Sequence, residues 1–378
     1  MSRSAAILTR PHADRGVIWA VLALAAAGVV AVYSASAYLA MRSGDTELLL
    51  FKHVGRVLGA LGLMGAVSFV DYRWLARGSK AFLMVSLGLL VLVQFIGDVT
   101  NGAQRWLDLG VVRFQPSDVA KVAVLLHVAV LLAKKQRYID ELGRGYVPLL
   151  AWIAPTILLI GIEDLSTAAV LSVTLGAMMF VGRVRVSHLA GTALIGLVLA
   201  GAFLVANPQR AARIEAWVGS AVFGNAETEQ TLNTREEGYQ AHQAQIAFAM
   251  GGLTGRGPGK SVQRDFLPAP YNDFIYAIVG EEYGLAGALV LLLVFVWLLL
   301  RGVLRVARGA PDPLGLFLAV GVTCAVVLGG FVNAAVASGL APVTGLAMPF
   351  VSYGGTSMIA TGVLVGLLLN VSRHVQPT

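Results

Sequence analysis

Long apolar runs, separated by short polar connections, follow one another along nearly the whole chain. Each run is roughly 17–25 residues long, the length that an α-helix needs to cross a bilayer. The runs lack the alternation of apolar and polar positions that a transmembrane β-barrel requires. The pattern predicts an all-α polytopic membrane protein of about ten transmembrane helices. The sixth helix is short, and the ten start near Val17, Phe51, Ala81, Val119, Tyr146, Ala168, Ser187, Phe274, Leu316 and Gly355.

Basic residues are distributed unevenly between the two sides of the predicted bundle. Connections on the side of the N-terminus hold most lysines and arginines, whereas the short connections opposite hold Arg42, Arg105 and Arg113. Because Lys and Arg accumulate in cytoplasmic loops, we predict that both termini are cytoplasmic. Residues 1–378 then form one transmembrane domain, with helices one to seven in 1–206, a long extracytoplasmic loop over 207–272, and helices eight to ten in 273–378.

Composition supports this class and excludes several kinds of site. The chain is 57% hydrophobic and 13% charged, whereas soluble domains carry about 25% charged residues. Much of the net charge of +7 reflects topology, so it does not indicate nucleic-acid binding. The single cysteine, Cys324, excludes a disulfide within the chain and a cysteine metal site.

The long loop contains two segments of interest. "YQAHQAQIAFAMGG" (Tyr239–Gly252) predicts a helix that presents Gln240 and Gln243 on one face. That helix either rests on the membrane surface or contacts the substrate, and both can hold. "GRGPGKS" (Gly255–Ser261) suits a flexible turn or a phosphate-binding loop, although it lacks the Walker spacing.

Ionisable residues within or beside the apolar runs are functional candidates. A charge in the hydrocarbon costs about 2.5–3.5 kcal/mol on insertion scales. Most of these residues lie near the predicted outer helix ends, which favours chemistry at the outer membrane surface over an ion path at the midplane. They are Lys52, Arg56, Asp118, Lys121, Asp164, Asp273, Glu281 and Glu282.

Two of these candidates have an alternative structural interpretation. Asp118 and Lys121 are spaced i, i+3 and can form a salt bridge on one helix face. Asp273 stands where a proline-broken loop becomes an apolar helix. A carboxylate there can cap free N–H groups, or it can serve as a general base at the mouth of an outer cleft. The residues alone leave these alternatives open.

Two further acids follow inside the same apolar run. Glu281 and Glu282 lie about 12–14 Å deeper than Asp273, at about 1.5 Å per residue. That separation is too large for them to share one substrate atom with Asp273. We expect them to pair with Arg56 or Lys121, or to bond to neighbouring helices.

Four segments together resemble one family. They are "VYSAS" (Val32–Ser36), "GAQRWLDLGVVRFQPSDVAK" (Gly102–Lys121), "DFIYAIVGEEYGLAG" (Asp273–Gly287) and "PVTGLAMPFVSYGGTS" (Pro342–Ser357). In this order they resemble motifs of the SEDS (shape, elongation, division and sporulation) family of bacterial cell-wall polymerases, which includes FtsW and RodA. The chain departs from the family pattern at Asp118, where Glu is usual, and at "IEDLSTA" (Ile162–Ala168), where PDLGTA is usual.

The resemblance implies an inverting peptidoglycan glycosyltransferase in the bacterial cytoplasmic membrane, with its active site facing outward. It would polymerise lipid II, and the growing glycan chain would remain on undecaprenyl pyrophosphate. Asp273 matches the catalytic aspartate, and Asp118, Glu281 and Glu282 would support the fold. The predicted substrate-binding residues are Arg105, Trp106, Gln115, Ser117, Lys121, Lys52, Arg56, Gln240, Gln243, Ser352 and Tyr353.

The resemblance also implies partners and leaves alternatives. The usual partner is a class B penicillin-binding protein, a transpeptidase, alongside other division or elongation proteins. "GRGPGKSVQRDFLP" (Gly255–Pro268) is more similar to the FtsW version than to the RodA version. A divalent cation such as Mg or Mn could help the pyrophosphate to leave, although no carboxylate cluster for it is evident. The alternative functions are a lipid II flippase and a noncatalytic divisome scaffold.

Overall fold

The computed structural model describes residues 12–43, 48–100, 103–108, 110, 113–207, 211, 214–215, 217–218 and 236–375. Its α-helices are α1 (Arg15–Ser43), α2 (Leu48–Phe69), α3 (Tyr72–Arg77), α4 (Ser79–Ile96), α5 (Pro116–Lys135), α6 (Val147–Glu163), α7 (Leu165–Val181), α8 (Val186–Val205), α9 (Glu236–Gly251), α10 (Ile275–Leu300), α11 (Pro313–Ala337) and α12 (Thr356–Arg373). Short π-helical segments precede α6 (Leu142–Tyr146) and extend α10 (Arg301–Ala307). The polar segment "NAETEQTLNTREEG" (Asn225–Gly238) predicts a mobile stretch of the long loop, and its residues 225–235 lie outside the described residues.

Within this described part, nine helices are long and apolar enough to cross a membrane, and α7 is a shorter apolar helix of 17 residues. The prediction of a polytopic helical bundle with a short sixth helix is confirmed. Helix α7 is short because both of its ends are fixed by polar or glycine residues. The Asp164 carboxylate accepts N–H bonds from Ser166 and Thr167, and Gly182 follows its last turn.

The core of the bundle lies around α5, α10, α11 and α12, and α8 stands apart from it. Helix α5 is buried along most of its length, whereas no described residue of α8 is buried. Helix α12 packs closely along α2 because Gly362 has no side chain at the contact. A Cβ on Gly362 would lie 2.5 Å from the Ala60 carbonyl oxygen.

A small antiparallel sheet connects α4 to α5, and the all-α prediction missed it. Its strands are β1 (Asp98–Thr100), β2 (Ala103–Asp108) and β3 (Arg113–Phe114), in the order β1-β2-β3. Cross-strand pairing of Asp98 with Trp106 and of Leu107 with Phe114 sets the register. Strands this short depend on their partners, which a local pattern of hydrophobic positions does not show.

The predicted helix is present as α9, and one of its faces packs against α10. Ala244 and Ala247 are fully buried, and the Phe248 ring lies 5.4 Å from the Tyr276 ring. At the end of α9, a Cβ on Gly251 would lie 2.0 Å from the Gly280 carbonyl oxygen. The end of α9 therefore lies beside the first turns of α10.

Helix α10 is broken at Gly284, which has φ 67° and ψ −170°. The turn that follows α9 occupies this break and satisfies its backbone groups. The Leu285 N–H donates to the Gly252 carbonyl at 2.9 Å, and the Gly257 N–H donates to the Glu282 carbonyl at 2.9 Å. Because a helix break in a membrane needs such partners, "GRGPGKS" serves here as a docked structural turn. The Arg256 N–H also donates to the Glu281 carbonyl at 3.0 Å. The backbone amides of Arg256 and Gly257 are therefore not available to bind a phosphate.

Candidate functional site

Asp273 lies at the end of the proline-broken loop, immediately before α10, and is half-buried. The N-cap position of α10 is Phe274 rather than Asp273. The Asp273 backbone carbonyl accepts a 2.8 Å hydrogen bond from the Asn333 amide of α11. Its carboxylate faces the loop between α11 and α12, where Oδ2 lies 3.9 Å from the position that a Cβ on Gly345 would take.

The loop between α11 and α12 is held in a strained conformation beside Asp273. Phe350 is buried at φ 62°, a region that bulky side chains rarely adopt. The turn closes because the Ser352 hydroxyl accepts a 2.8 Å bond from the Met348 N–H. The next residue, Tyr353, donates its backbone N–H to the Tyr271 carbonyl at 2.8 Å. The strained residue, Phe350, therefore lies close in the chain to Tyr353, where this loop is hydrogen-bonded to the loop that carries Asp273.

Aromatic and cationic side chains from α2 pack on Tyr353. The His53 ring lies 5.7 Å from the Tyr353 ring in a stacked arrangement, and the Arg56 guanidinium lies 4.4 Å from its centre. The Tyr271 ring meets Tyr353 edge-on at 5.4 Å. Burial of the Tyr271 hydroxyl raises its pKa, and the neighbouring Tyr353 raises it further. Lys52 is exposed beside this group, so α2 brings both predicted cations to the Asp273 end of the bundle.

Asp118 and Lys121 form the predicted pair on α5. The Lys121 Nζ lies 3.4 Å from Asp118 Oδ1, and Asp118 Oδ2 accepts a 2.8 Å bond from the Thr356 hydroxyl. The Gln115 N–H reaches the same Thr356 hydroxyl at 3.3 Å. Asp118 thus joins α5 to the start of α12, and the shorter aspartate still reaches Lys121. Ser117 beside it is buried.

Arg105 lies on β2 and contacts a cavity of about 370 Å³. Its guanidinium lies 3.6 Å from Asp164, and its Nε has no hydrogen-bond partner among the described residues. Ser166 and Thr344 also reach this cavity, and the rest of its wall is mainly apolar, from α7, α8, α11 and the loop after α11. Thr344 and Leu346 line the cavity and Gly345 lies near the Asp273 carboxylate, so one short loop segment contacts both. Trp106 beside Arg105 is half-buried.

Glu281 and Glu282 are buried and bond to neither Arg56 nor Lys121, so that predicted pairing is wrong. Glu281 accepts hydrogen bonds from the Ser261 hydroxyl at 2.5 Å and from the Val262 N–H at 2.9 Å. Glu282 accepts a short bond from the Ser34 hydroxyl of α1. The alternative expectation, bonds to neighbouring helices, is confirmed for Glu282, whereas Glu281 bonds to the connection that follows α9.

The structure places the predicted glutamines of α9 apart from these buried contacts. Gln240 and Gln243 are both half-buried. Three residues that position the site were missed in the sequence, namely His53, Asn333 and Thr356. A lone amide in the apolar run of α11 was a usable signal for Asn333.

Comparison with known proteins places the chain. Residues 15–377 match the family model for cell cycle proteins that is named for FtsW, RodA and SpoVE. The chain belongs to this family. It is a multi-pass protein of the inner membrane.

Relatives of this SEDS family member align over nearly its whole length. Stage V sporulation protein E of Bacillus subtilis is 38% identical over 363 residues, which cover 93% of this chain and 95% of that protein. A probable peptidoglycan glycosyltransferase FtsW of Geobacter metallireducens is 36% identical over 372 residues, covering 97% and 96%.

Solved structures of SEDS proteins share the fold. A chain of a peptidoglycan synthase complex is 27% identical, with a TM-score of 0.76 over 96% of this chain and 98% of that chain. The rod shape determining protein RodA of Thermus thermophilus is 27% identical, with a TM-score of 0.69 over 97% and 98%.

Among the residues that the structure describes, no three His, Cys, Asp or Glu side chains are grouped so as to hold an ion.

Proposed function

We propose that this SEDS family member is a peptidoglycan glycosyltransferase that polymerises lipid II at the outer face of the cytoplasmic membrane. The observation that carries the proposal is the position of Asp273. Its carboxylate is half-buried at the start of α10 and faces the loop around Gly345, while its backbone is fixed by Asn333. A general base needs this combination of access and a fixed orientation.

The reaction requires one proton transfer and one substitution. Asp273 would take the proton from the 4-hydroxyl of the acceptor sugar, and that oxygen would attack the anomeric carbon of the donor. The bond from that carbon to the pyrophosphate breaks with inversion, and the lipid pyrophosphate leaves with the electron pair. Negative charge then accumulates on the leaving group, where preorganised cations stabilise it.

Arg105 and Lys121 are the cations that this mechanism would use. Each is held near a carboxylate, Arg105 at 3.6 Å from Asp164 and Lys121 at 3.4 Å from Asp118. Those partners fix the cations in place before the substrate arrives. The Nε of Arg105, which has no hydrogen-bond partner in the described part of the chain, supplies a further donor. Lys52 and Arg56 would act from α2 on the other side of Tyr353.

The cavity beside Arg105 suits an apolar chain next to an anionic group. Its walls include Val173, Leu204 and Val332, and only a small part of its lining surface is polar. We infer that part of the polyprenyl tail of the donor lies here, with its pyrophosphate toward Arg105. Trp106, Gln115, Gln240 and Gln243 would contact sugar or peptide, whereas the buried Ser117 and Ser352 would shape the site from behind.

The cellular role follows from the relatives. Curated proteins that are 36% identical carry the name probable peptidoglycan glycosyltransferase FtsW, which supports a division role over elongation. A solved SEDS chain belongs to a complex described as coordinating polymerization and crosslinking. We infer that a class B penicillin-binding protein is the partner of this chain as well.

The test is glycan-chain formation from labelled lipid II. Purified protein in liposomes with a cognate transpeptidase is compared with Asp273→Asn and with Asp265→Asn. The control replaces another acid of the same loop, which is ion-paired at 3.5 Å with Arg264 and substantially exposed. We expect polymer from wild type and Asp265→Asn, and a loss of at least about 100-fold in Asp273→Asn.

Other outcomes distinguish the alternatives. Equal polymer from wild type and Asp273→Asn would reject Asp273 as the base. No polymer from wild type beside an active transpeptidase would reject the polymerase. Movement of labelled lipid II across the liposome membrane would then indicate a flippase, and its absence would indicate a noncatalytic scaffold.

A further inference from the structure

Asn333 is a fully buried amide in the apolar helix α11. Its Nδ2 donates two hydrogen bonds, one to the Asp273 carbonyl at 2.8 Å and one to the Leu346 carbonyl at 2.7 Å. Both acceptors are backbone atoms of irregular segments outside the helices. A buried carbonyl without a donor is costly, so these two bonds fix the places of both segments.

The two segments that Asn333 joins flank the same carboxylate. One carries Asp273 itself, and the other carries Gly345, whose Cβ position lies 3.9 Å from Asp273 Oδ2. Both N–H donors of the Asn333 side chain are used by backbone carbonyls, so Nδ2 has no donor left for a substrate. Its effect on chemistry would therefore pass through the position of Asp273.

We propose that Asn333 is a positioning residue that sets the distance between the Asp273 carboxylate and the loop around Gly345. The inference rests on the proposed role of Asp273 as general base. Without the amide, the start of α10 and the loop after α11 lose their common donor. The carboxylate then samples positions from which it does not reach the acceptor hydroxyl, while the binding surfaces for lipid II remain.

Asn370 offers a matched comparison at the other end of the bundle. It is also a buried asparagine of an apolar helix, α12. Its Nδ2 donates to the Ser68 carbonyl at 2.9 Å, and its Oδ1 accepts from the Tyr72 N–H at 2.9 Å. Replacing Asn370 removes the same kind of buried amide without touching the segments around Asp273.

The experiment compares Asn333→Leu with Asn370→Leu, because leucine is similar in size and has no donor. Both variants should lower the Tm of the detergent-solubilised protein. In the polymerisation assay with the cognate transpeptidase, Asn333→Leu should lower kcat about 10- to 100-fold and leave KM for lipid II within about twofold. Asn370→Leu should keep both constants within about twofold of wild type.

Hydrogen exchange supplies a readout that is independent of activity. In Asn333→Leu, the amides of 271–276 and 344–348 should exchange faster than in wild type, whereas in Asn370→Leu they should not. Unchanged exchange in both segments, or an unchanged kcat beside an active wild type, would overturn the inference. If wild type forms no polymer but the exchange rises as expected, the tether by Asn333 stands and the glycosyltransferase assignment fails.

Discussion

Glu281 holds the segment between α9 and α10 from inside the membrane span of α10. Its fully buried carboxylate accepts bonds from the Ser261 hydroxyl, the Val262 N–H and, at 3.1 Å, the Gln263 N–H. The Arg256 guanidinium lies 3.7 Å away. All four donors belong to residues 256–263, so one side chain anchors most of that segment.

The magnitude follows from these contacts. Hydrogen bonds to a charged group contribute about 1.5–3 kcal/mol each, and they are not additive within one network. The Arg256 side chain is 39% exposed, so solvent screens its ion pair with Glu281 and that pair adds little to the hydrogen bonds. Glu281→Gln keeps the shape but turns an NH₂ group toward donors that need an acceptor. We therefore expect the free energy for opening this segment to fall by about 3 kcal/mol or more.

Trypsin cleavage measures this opening, because Arg256, Lys260 and Arg264 lie in the anchored segment. A loss of about 3 kcal/mol raises the open population about 100-fold, and cleavage by dilute protease rises in proportion. The control is Asp265→Asn, because the Asp265 side chain is 41% exposed and an ion pair that solvent reaches contributes about 0–1 kcal/mol. Cleavage rates of Glu281→Gln within a few-fold of that control would refute the anchoring role.

Two further variants test the fold elsewhere. Gly284→Ala should destabilise the protein by about 1–3 kcal/mol and lower its Tm. Gly284 has φ 67°, and a Cβ there would lie 2.4 Å from the Gly255 amide nitrogen. The control Gly176→Ala, which places a Cβ in open space on α7, should not lower the Tm. Burial raises the pKa of Asp312, but hydrogen bonds from Tyr72, the Gly315 N–H and Arg73 outweigh it, so the pKa lies below its usual value. The stability that Asp312 contributes should therefore be full above the unfolded value of about 4 and be lost as pH falls through the lower folded pKa. Thermal unfolding across pH should show wild type above Asp312→Asn at neutral pH and a shrinking difference in acid, and a constant difference would contradict this.

The transmembrane helices were predictable because the signal that defines them is local. A run of apolar residues that spans a bilayer forms a helix whatever it contacts, and each predicted start lies within a few residues of an observed one. The small sheet was not predictable in this way. Its second strand carries Arg105, but its register depends on pairs such as Asp98 with Trp106.

The residues of the candidate site were partly predictable for a related reason. A charge or amide in an apolar run stands out at once, as with Asp118, Asp273 and Glu281. The partner of such a residue is not evident from the sequence, because the two are far apart in the chain. Glu282 bonds to Ser34, and Asp118 bonds to Thr356. The pairing of Glu281 and Glu282 with Arg56 or Lys121 was wrong because residues 256–263 and Ser34 are their partners instead.

The break in α10 explains why acids lie both just before this helix, at Asp273, and within it, at Glu281 and Glu282. Gly284 interrupts the helix only because the turn over 252–257 supplies partners for the freed backbone groups. That turn needs an anchor within the apolar layer, and the adjacent Glu281 and Glu282 provide it through residues 261–263 and Ser34. The chain then continues into the loop that carries Asp273. Glu281 and Glu282 therefore fix the start of the segment between α9 and α10, and Asp273, the proposed base, lies at its end. We expect a substitution at either end to change the conformation of the other.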